Sequence, residues 1–355
     1  MKKNSIKIIL FLMIALSIFP IFRIRKIKIL GYSSNNSAEV VMDCYSNLII
    51  HEKYANQRKF MASTTKILTA ICVIENSNLN DVVTVTCDTV GVEGSSIYLK
   101  AGEKLTIKEL LYGLMLRSGN DCAETLAKFC GKTIENFVKI MNETAKKIGA
   151  INSNFINPHG LHDDNHYTTA YDLALISSYA MKNDTFREIV STKKIKISNT
   201  LGDYDRILIN KNKLLKILDG CTGIKTGFTK KAGRCLVSSC KKDGREFIVV
   251  VLNCPNMFER SKELLTESFN KYENIKLVNS EHILGFIYDC KNEKHSIAVK
   301  RDIILPIKST DKDKIKIEYD YQEKIDEIIK KDQEVGQIKI YLENCLIFTQ
   351  KIYTI

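Results

Sequence analysis

The apolar residues of this chain change their spacing from helical to alternating part-way along, and that change limits the available folds more than any single residue does. Residues 39–50 (EVVMDCYSNLII) and the stretch to Lys59 read as a strand pair turning at Ser46-Asn47. From about Ser63 helical spacing takes over, with Ile67, Leu68, Ile71 and Ile74 on one face of a helix reaching Asn76. Thr106-Ile107-Lys108-Glu109 is a capping box that opens a helix through Leu110, Leu111, Leu114 and Met115, ending at Ser118-Gly119-Asn120. Asp121 and Glu124 are expected to cap the next helix. Further helices are predicted over 133–148, stopped by Gly149, and over 171–181. Alternation then replaces them. Residues 220–229 lead into a strand over 234–240, Asp243-Gly244 makes a hairpin turn, and 246–253 return as a β-branched strand. A helix over 261–272 closes the block, and beyond Lys276 only short strand candidates follow (HSIAVK, DIILPI, KIKIEYD, QIKIYLE). With 355 residues, 45% of them hydrophobic, the chain can hold one large domain and one small one.

Three short motifs lie at the joints of this layout: Ser63-Thr64-Thr65-Lys66, Ser118-Gly119-Asn120 and Lys225-Thr226-Gly227. Taken singly they are an N-cap with a helix lysine, a helix-ending turn and an edge-strand tripeptide. Together and in this order they supply the parts of an acyl transfer. Ser63 and Lys66, three apart on a helix, share a face, so a weak nucleophile gains a base. Lys66 must be neutral to serve, which requires burial or a neighbouring cation, and Lys225 is the candidate cation. Ser118 can relay a proton to a leaving amine. The Asn120 amide can hold both Lys66 and a substrate carbonyl. Gly227 admits a ligand close to an edge strand. The N–H groups of Ser63 and Phe228 suit an oxyanion hole, worth roughly 3–4 kcal/mol per donor in other serine enzymes. The hydroxyls of Thr226 and Thr229, with Lys225, suit a substrate carboxylate.

At these residues the chain resembles the serine D-Ala-D-Ala carboxypeptidases, the low-molecular-mass penicillin-binding proteins. The likeness extends through MASTTKILTA, ELLYGLMLRSGNDCAETLA, NFINPHGLHDDNHYTTAYDLA and DGCTGIKTGFTKKAGRCLVSS. It implies an α/β (α+β) fold of the β-lactamase/transpeptidase type: an antiparallel sheet flanked by helices with an inserted helical subdomain, over residues 38–275. A small all-β C-terminal domain over 276–355 is implied less specifically. Ser63 would be the acylated nucleophile, Lys66 its base, Ser118 and Asn120 the relay and substrate hold, and Lys225 to Thr229 the carboxylate side. The implied reaction removes the terminal D-alanine from peptidoglycan stem peptides ending in D-Ala-D-Ala, with β-lactam antibiotics as covalent inhibitors and no metal or organic cofactor. Class A β-lactamases have S-D-N as the second motif and a deacylating glutamate in E-x-x-L-N; this chain has S-G-N and no such glutamate between Asn120 and Lys225. Slow release of penicillin is therefore expected. The same residues would also serve an endopeptidase or transpeptidase on cross-linked stems. A catalytically weak peptide-binding module is disfavoured by the intact motifs.

The net charge of +12 is concentrated at the start: residues 1–30 carry seven Lys/Arg and no acid. Lys2, Lys3 and Lys7 precede an apolar run from Ile8 to Phe22, which reads as an export segment, and residues 1–37 suit either a cleaved signal peptide or a retained membrane anchor. An extracytoplasmic location, at the outer membrane face or in the wall, follows as the expectation. A cytosolic esterase is disfavoured by the same segment. The ending FTQKIYTI reads as a strand, so any membrane contact would come from the N-terminus. Basic patches with interleaved aromatics are absent, which argues against a nucleic-acid partner. Eleven cysteines, none in a C-x-x-C pair, mostly fall in apolar segments and read as buried hydrophobes. His159, His162 and His166 with Asp163 and Asp164 have metal-like spacing, but Pro158 and Gly160 break a helix there, and a structural loop is the expectation.

Overall fold

The computed structural model describes residues 36–355, so nearly all of the segment read as signal peptide or anchor lies outside the described residues. The N-terminal strands β1 (Ala38–Asp43) and β2 (Ile49–Lys53) join three late ones, β3 (Cys221–Thr229), β4 (Gly233–Lys242) and β5 (Arg245–Leu252). Together they form one antiparallel sheet in the order β2-β1-β5-β4-β3. Val40 lies opposite Val250, and Lys225 opposite Val237. Strand alternation explains why β5 is apolar throughout. Ile248, Val250 and Leu252 face the helical block, whereas Phe247, Val249 and Val251 face the closing helix. Burial of each such side chain contributes about 1.5–3 kcal/mol relative to exposure. The sheet is thus covered on both faces, and β3, the strand carrying Lys225-Thr226-Gly227, is its edge.

The inserted block contains α1 (Lys66–Asn76), α2 (Ile107–Tyr112), α3 (Asn120–Gly131), α4 (Ile134–Ile148), α5 (Ala170–Met181) and α6 (Asp184–Ser191). Helix α1 is buried on nearly all sides, not on the single face its spacing indicates, because α3, α4, α5 and α6 all pack around it. The Thr106–Glu109 capping box forms as read, and α4 ends at Gly149 with φ +98°.

Other boundaries differ. The closing helix α7 spans Met257–Lys271, starting four residues before the expected Ser261. Asp121 and Glu124 do not cap α3, whose N-cap is Gly119 with no side-chain cap. Helix α6 and two short hairpins (Val82–Thr84 with Lys104–Thr106, Lys194–Ile197 with Arg206–Ile209) carry too few residues for the spacing to show them.

The chain leaves α7 directly into β6 (Tyr272–Val278). There follow β7 (Gly285–Tyr288), β8 (Lys294–Ala298), β9 (Ile303–Lys308), β10 (Ile315–Tyr321), β11 (Glu334–Leu342) and β12 (Cys345–Thr354). β6 pairs with β9, and the others form a sheet in the order β7-β8-β12-β11-β10. Ile287, Ile297, Leu305, Ile338, Ile340 and Ile352 make its core. The final residues are a strand, as their composition indicates. Among the described residues no helix is long and apolar enough to cross a membrane.

Candidate active site

The first motif sits where a 3-10 turn, Ala62–Thr65, runs into α1. Lys66 is therefore the first residue of the α-helix and Ser63 lies just outside it. The turn is tight: Ala62 has φ +48°, a conformation uncommon for a residue with a Cβ. Ser63 keeps partial exposure while Lys66 is wholly buried.

The Lys66 ammonium nitrogen lies 3.0 Å from Ser63 Oγ, 2.7 Å from Asn120 Oδ1 and 2.6 Å from the carbonyl oxygen of His159. Burial brings its pKa down from the usual lysine value to about 7, with the Lys211 charge adding to the effect and the Asp121 and Glu124 carboxylates opposing it. Lys225 was the cation expected to depress Lys66; burial is the larger cause, and the neighbouring charge that lowers it further is that of Lys211. Lys225 is itself fully buried and held well below the ordinary lysine range, first by burial and then by Lys66 and Lys211. Lys211, exposed and donating to Ser95 Oγ at 2.9 Å, bears on both buried lysines, and nothing in the Asn210–Lys213 run marked it.

The second motif follows a π-turn, Gly113–Arg117, that ends α2. Ser118 takes a left-handed conformation, φ +66°, and is almost buried. Holding a non-glycine residue there costs roughly 1–2 kcal/mol, and such positions cluster at functional sites. Asn120 donates its Nδ2 to the carbonyl of Glu93, which turns Oδ1 toward Lys66. One of its two amide hydrogens is thus committed and the other remains for a ligand. Asp121 accepts from the backbone N–H groups of Ile97 and Leu99, both at 3.1 Å, and from Ser96 Oγ at 2.5 Å. Its task is to tie the 93–99 loop to Asn120.

The edge strand supplies the third motif. A Cβ at Gly227 would stand 3.1 Å from Met61 O, Ser63 N and Thr64 N. The glycine lets β3 close against the Ala62–Thr65 turn, a tighter reason for it than approach of a ligand alone. Lys225 donates to the Thr226 carbonyl at 2.8 Å. Thr226 is half-buried, Phe228 is 63% exposed, and the Thr229 hydroxyl accepts the N–H of Ala232 at 3.0 Å. All three motifs meet around Ser63, Lys66 and Asn120.

The segment weighed for metal binding proves to be the fourth wall. His166 Nδ1 accepts from the Ile156 N–H at 3.0 Å, so its other nitrogen carries the proton and donates to Thr65 Oγ1 at 2.8 Å. His159 accepts at Nδ1 from the Leu161 N–H and meets Glu124 Oε1 through Nε2 at 3.0 Å. His162 pairs with Asp164 at 3.4 Å. The three rings thus engage three separate partners. The contribution this reading missed is the backbone carbonyl of His159, which no side-chain motif announces. Gly160, φ +88°, would place a Cβ 2.0 Å from Ala62 O, so only glycine lets the loop sit on the Ala62–Thr65 turn.

This geometry coincides with what comparison with known proteins finds. Residues 32–256 match the D-alanyl-D-alanine carboxypeptidase family of S11 peptidases, and residues 272–355 match the C-terminal domain of penicillin-binding protein 5. The chain belongs to the D-alanyl-D-alanine carboxypeptidases. It is 31% identical over 310 residues to the D-alanyl-D-alanine carboxypeptidase DacF of Bacillus subtilis, covering 84% of this chain and 79% of that one. The crystal structure of penicillin-binding protein 5 from Haemophilus influenzae has a TM-score of 0.78 at 25% identity, over 92% and 98% of the two chains. That of the carboxypeptidase DacD from Francisella tularensis has a TM-score of 0.69 at 28% identity, over 93% and 95%. The fold read from the motifs is therefore the fold present. As a member of this family the chain is a serine-type peptidase that acts on D-Ala-D-Ala ends of peptidoglycan stems and binds β-lactams.

Proposed function

We propose that Ser63 is the residue acylated and Lys66 the base that activates it. The observation that carries this reading is the set of partners around the Lys66 nitrogen. A neutral amine has two N–H donors and one lone pair. Asn120 Oδ1 and the His159 carbonyl can only accept, so they take both donors. The lone pair is left for the Ser63 hydroxyl, 3.0 Å away. A pKa near 7 keeps much of the amine neutral at physiological pH.

Ser63 Oγ attacks the carbonyl of the penultimate D-alanine as its proton passes to Lys66. The Ser63 and Phe228 N–H groups stabilise the oxyanion. Ser118 relays the proton to the leaving D-alanine nitrogen, the C–N bond breaks, and water then hydrolyses the ester. Lys225, Thr226 and Thr229 receive the terminal carboxylate, with Gly227 and Phe228 shaping that edge. An incoming carboxylate favours the protonated form of Lys225, offsetting the burial that lowers its pKa. Asn120 holds the substrate carbonyl with its uncommitted amide hydrogen. Penicillin opens on Ser63 by the same attack. No E-x-x-L-N glutamate is present to speed deacylation, so the penicilloyl ester is long-lived.

The basic and apolar N-terminus favours action outside the cytoplasm, with the N-terminal segment as any membrane contact. The catalytic unit is taken as residues 38–275 and the β appendage as 276–355.

The test is fluorescent-penicillin labelling of the full chain, together with D-alanine release from a diacyl-Lys-D-Ala-D-Ala peptide. Ser63→Ala should abolish both. Label retained by that variant would overturn the nucleophile assignment, and labelling of wild type without D-alanine release would favour a binding module.

A further inference from the structure

The hairpin at the edge of the C-terminal sheet carries a second cluster of titratable groups, remote in sequence from the three motifs. Asp289 follows β7, His295 lies on β8, and Glu293 stands in the turn between them. Asp289 is completely buried. One of its oxygens, Oδ1, accepts the N–H groups of Lys291 at 2.8 Å and Glu293 at 2.9 Å, which fixes the carboxylate plane. The other, Oδ2, is sealed from solvent and makes no hydrogen bond; the same is true of His295 Nε2. They face each other at 3.5 Å, well beyond the roughly 2.7–2.9 Å of a charge-assisted hydrogen bond. Glu293, exposed, offers a carboxylate oxygen, and the three donor atoms all lie within 4.8 Å of one another. A buried carboxylate oxygen and a ring nitrogen left without partners are costly, and native structures rarely keep such a pair without a reason.

We propose that Asp289, Glu293 and His295 bind one divalent metal ion of the zinc class. The donor set, one imidazole and two carboxylates, suits a borderline cation. It offers too few oxygens for calcium, which takes six to eight. The spacing agrees as well. With metal–ligand bonds of about 2.0–2.1 Å, two ligands of a tetrahedral ion stand about 3.4 Å apart, close to the 3.5 Å between Asp289 Oδ2 and His295 Nε2. The hydrogen bonds from Lys291 and Glu293 orient the Asp289 carboxylate as an outer shell does around a metal. Glu293 closes the site from the solvent side and water fills the fourth position. The nearby Lys294 ammonium is turned onto the Phe286 ring, 3.6 Å from its centroid. The ion would tie the two ends of the turn together at an edge of the sheet, a structural clamp with no part in acyl transfer.

Calorimetric titration of the full chain with Zn²⁺ tests this, in a background where the exposed Cys87, Cys290 and Cys345 are replaced by serine so that no surface thiol competes. One ion per chain is expected. Glu293→Gln and His295→Gln should each weaken binding at least tenfold, with the circular-dichroism spectrum and D-alanine release unchanged. Co²⁺ in place of Zn²⁺ should give visible bands without a thiolate charge-transfer band. Absence of saturable binding, or binding indifferent to both substitutions, would overturn the proposal, as would a thiolate band.

Discussion

At the residue scale the proposed chemistry turns on one nitrogen. Lys66 is a base only when neutral, and burial sets its pKa near 7. The sign is direct: below about pH 7 the amine is protonated and cannot accept from Ser63, and above it the rate levels off. The acylation rate with penicillin should therefore fall roughly tenfold per pH unit on the acid side. A rate that stays flat from about pH 5.5 to 8.5 would remove Lys66 as the base. Ser63, Lys66, Ser118, Asn120 and Lys225 were readable as candidates because each motif places side chains of known chemistry at fixed spacing. The lowered pKa of Lys225 was not, since it depends on burial among residues distant in sequence. Cys122 shows the same limit. It sits beside Lys66, fully buried, and burial pushes its thiol well above the ordinary range, so it packs as a neutral side chain.

At the scale of elements, the site is a junction of the 3-10 turn before α1, the end of α2, the edge strand β3 and the loop 154–168. Two glycines set the distances. Gly227 lets β3 close on the turn, and Gly160 lets the loop deliver the His159 carbonyl to Lys66. Gly160→Ala forces a Cβ into the Ala62 carbonyl and also places alanine at φ +88°. It should lower stability by about 1–3 kcal/mol and reduce kcat/KM for D-alanine release at least tenfold, read by thermal melting and steady-state kinetics. A variant with unchanged melting temperature and activity would show that the loop does not hold Lys66. Helical and strand spacing revealed the long elements, where periodicity accumulates over several turns. The loop gave no periodic signal, and its contribution is a backbone carbonyl, which sequence does not mark.

For the whole molecule, the cysteines give a test of how the core is built. None of the eleven is bridged; eight pack in buried or half-buried positions of the catalytic block, and Cys87, Cys290 and Cys345 are exposed. Burial pushes the thiols of Cys44, Cys72, Cys235 and Cys240 up to about 12. Ellman's reagent should thus modify the three exposed thiols quickly in the native protein, and the rest slowly or only after unfolding. Prompt reaction of all eleven would contradict the packed core described here.

The sequence by itself determined the order of elements, the three motifs and the β-rich C-terminal part, because these rest on local spacing and side-chain identity. Only the tertiary structure decided which partners surround Lys66, that burial with the Lys211 charge lowers its pKa, and why two glycines are required. It also brought Asp289, Glu293 and His295 together, a spacing that no helix or strand period singles out. The reason is common to all of these. Burial and through-space contact fix pKa values and close approaches, and both arise only when segments far apart in the chain are packed against one another.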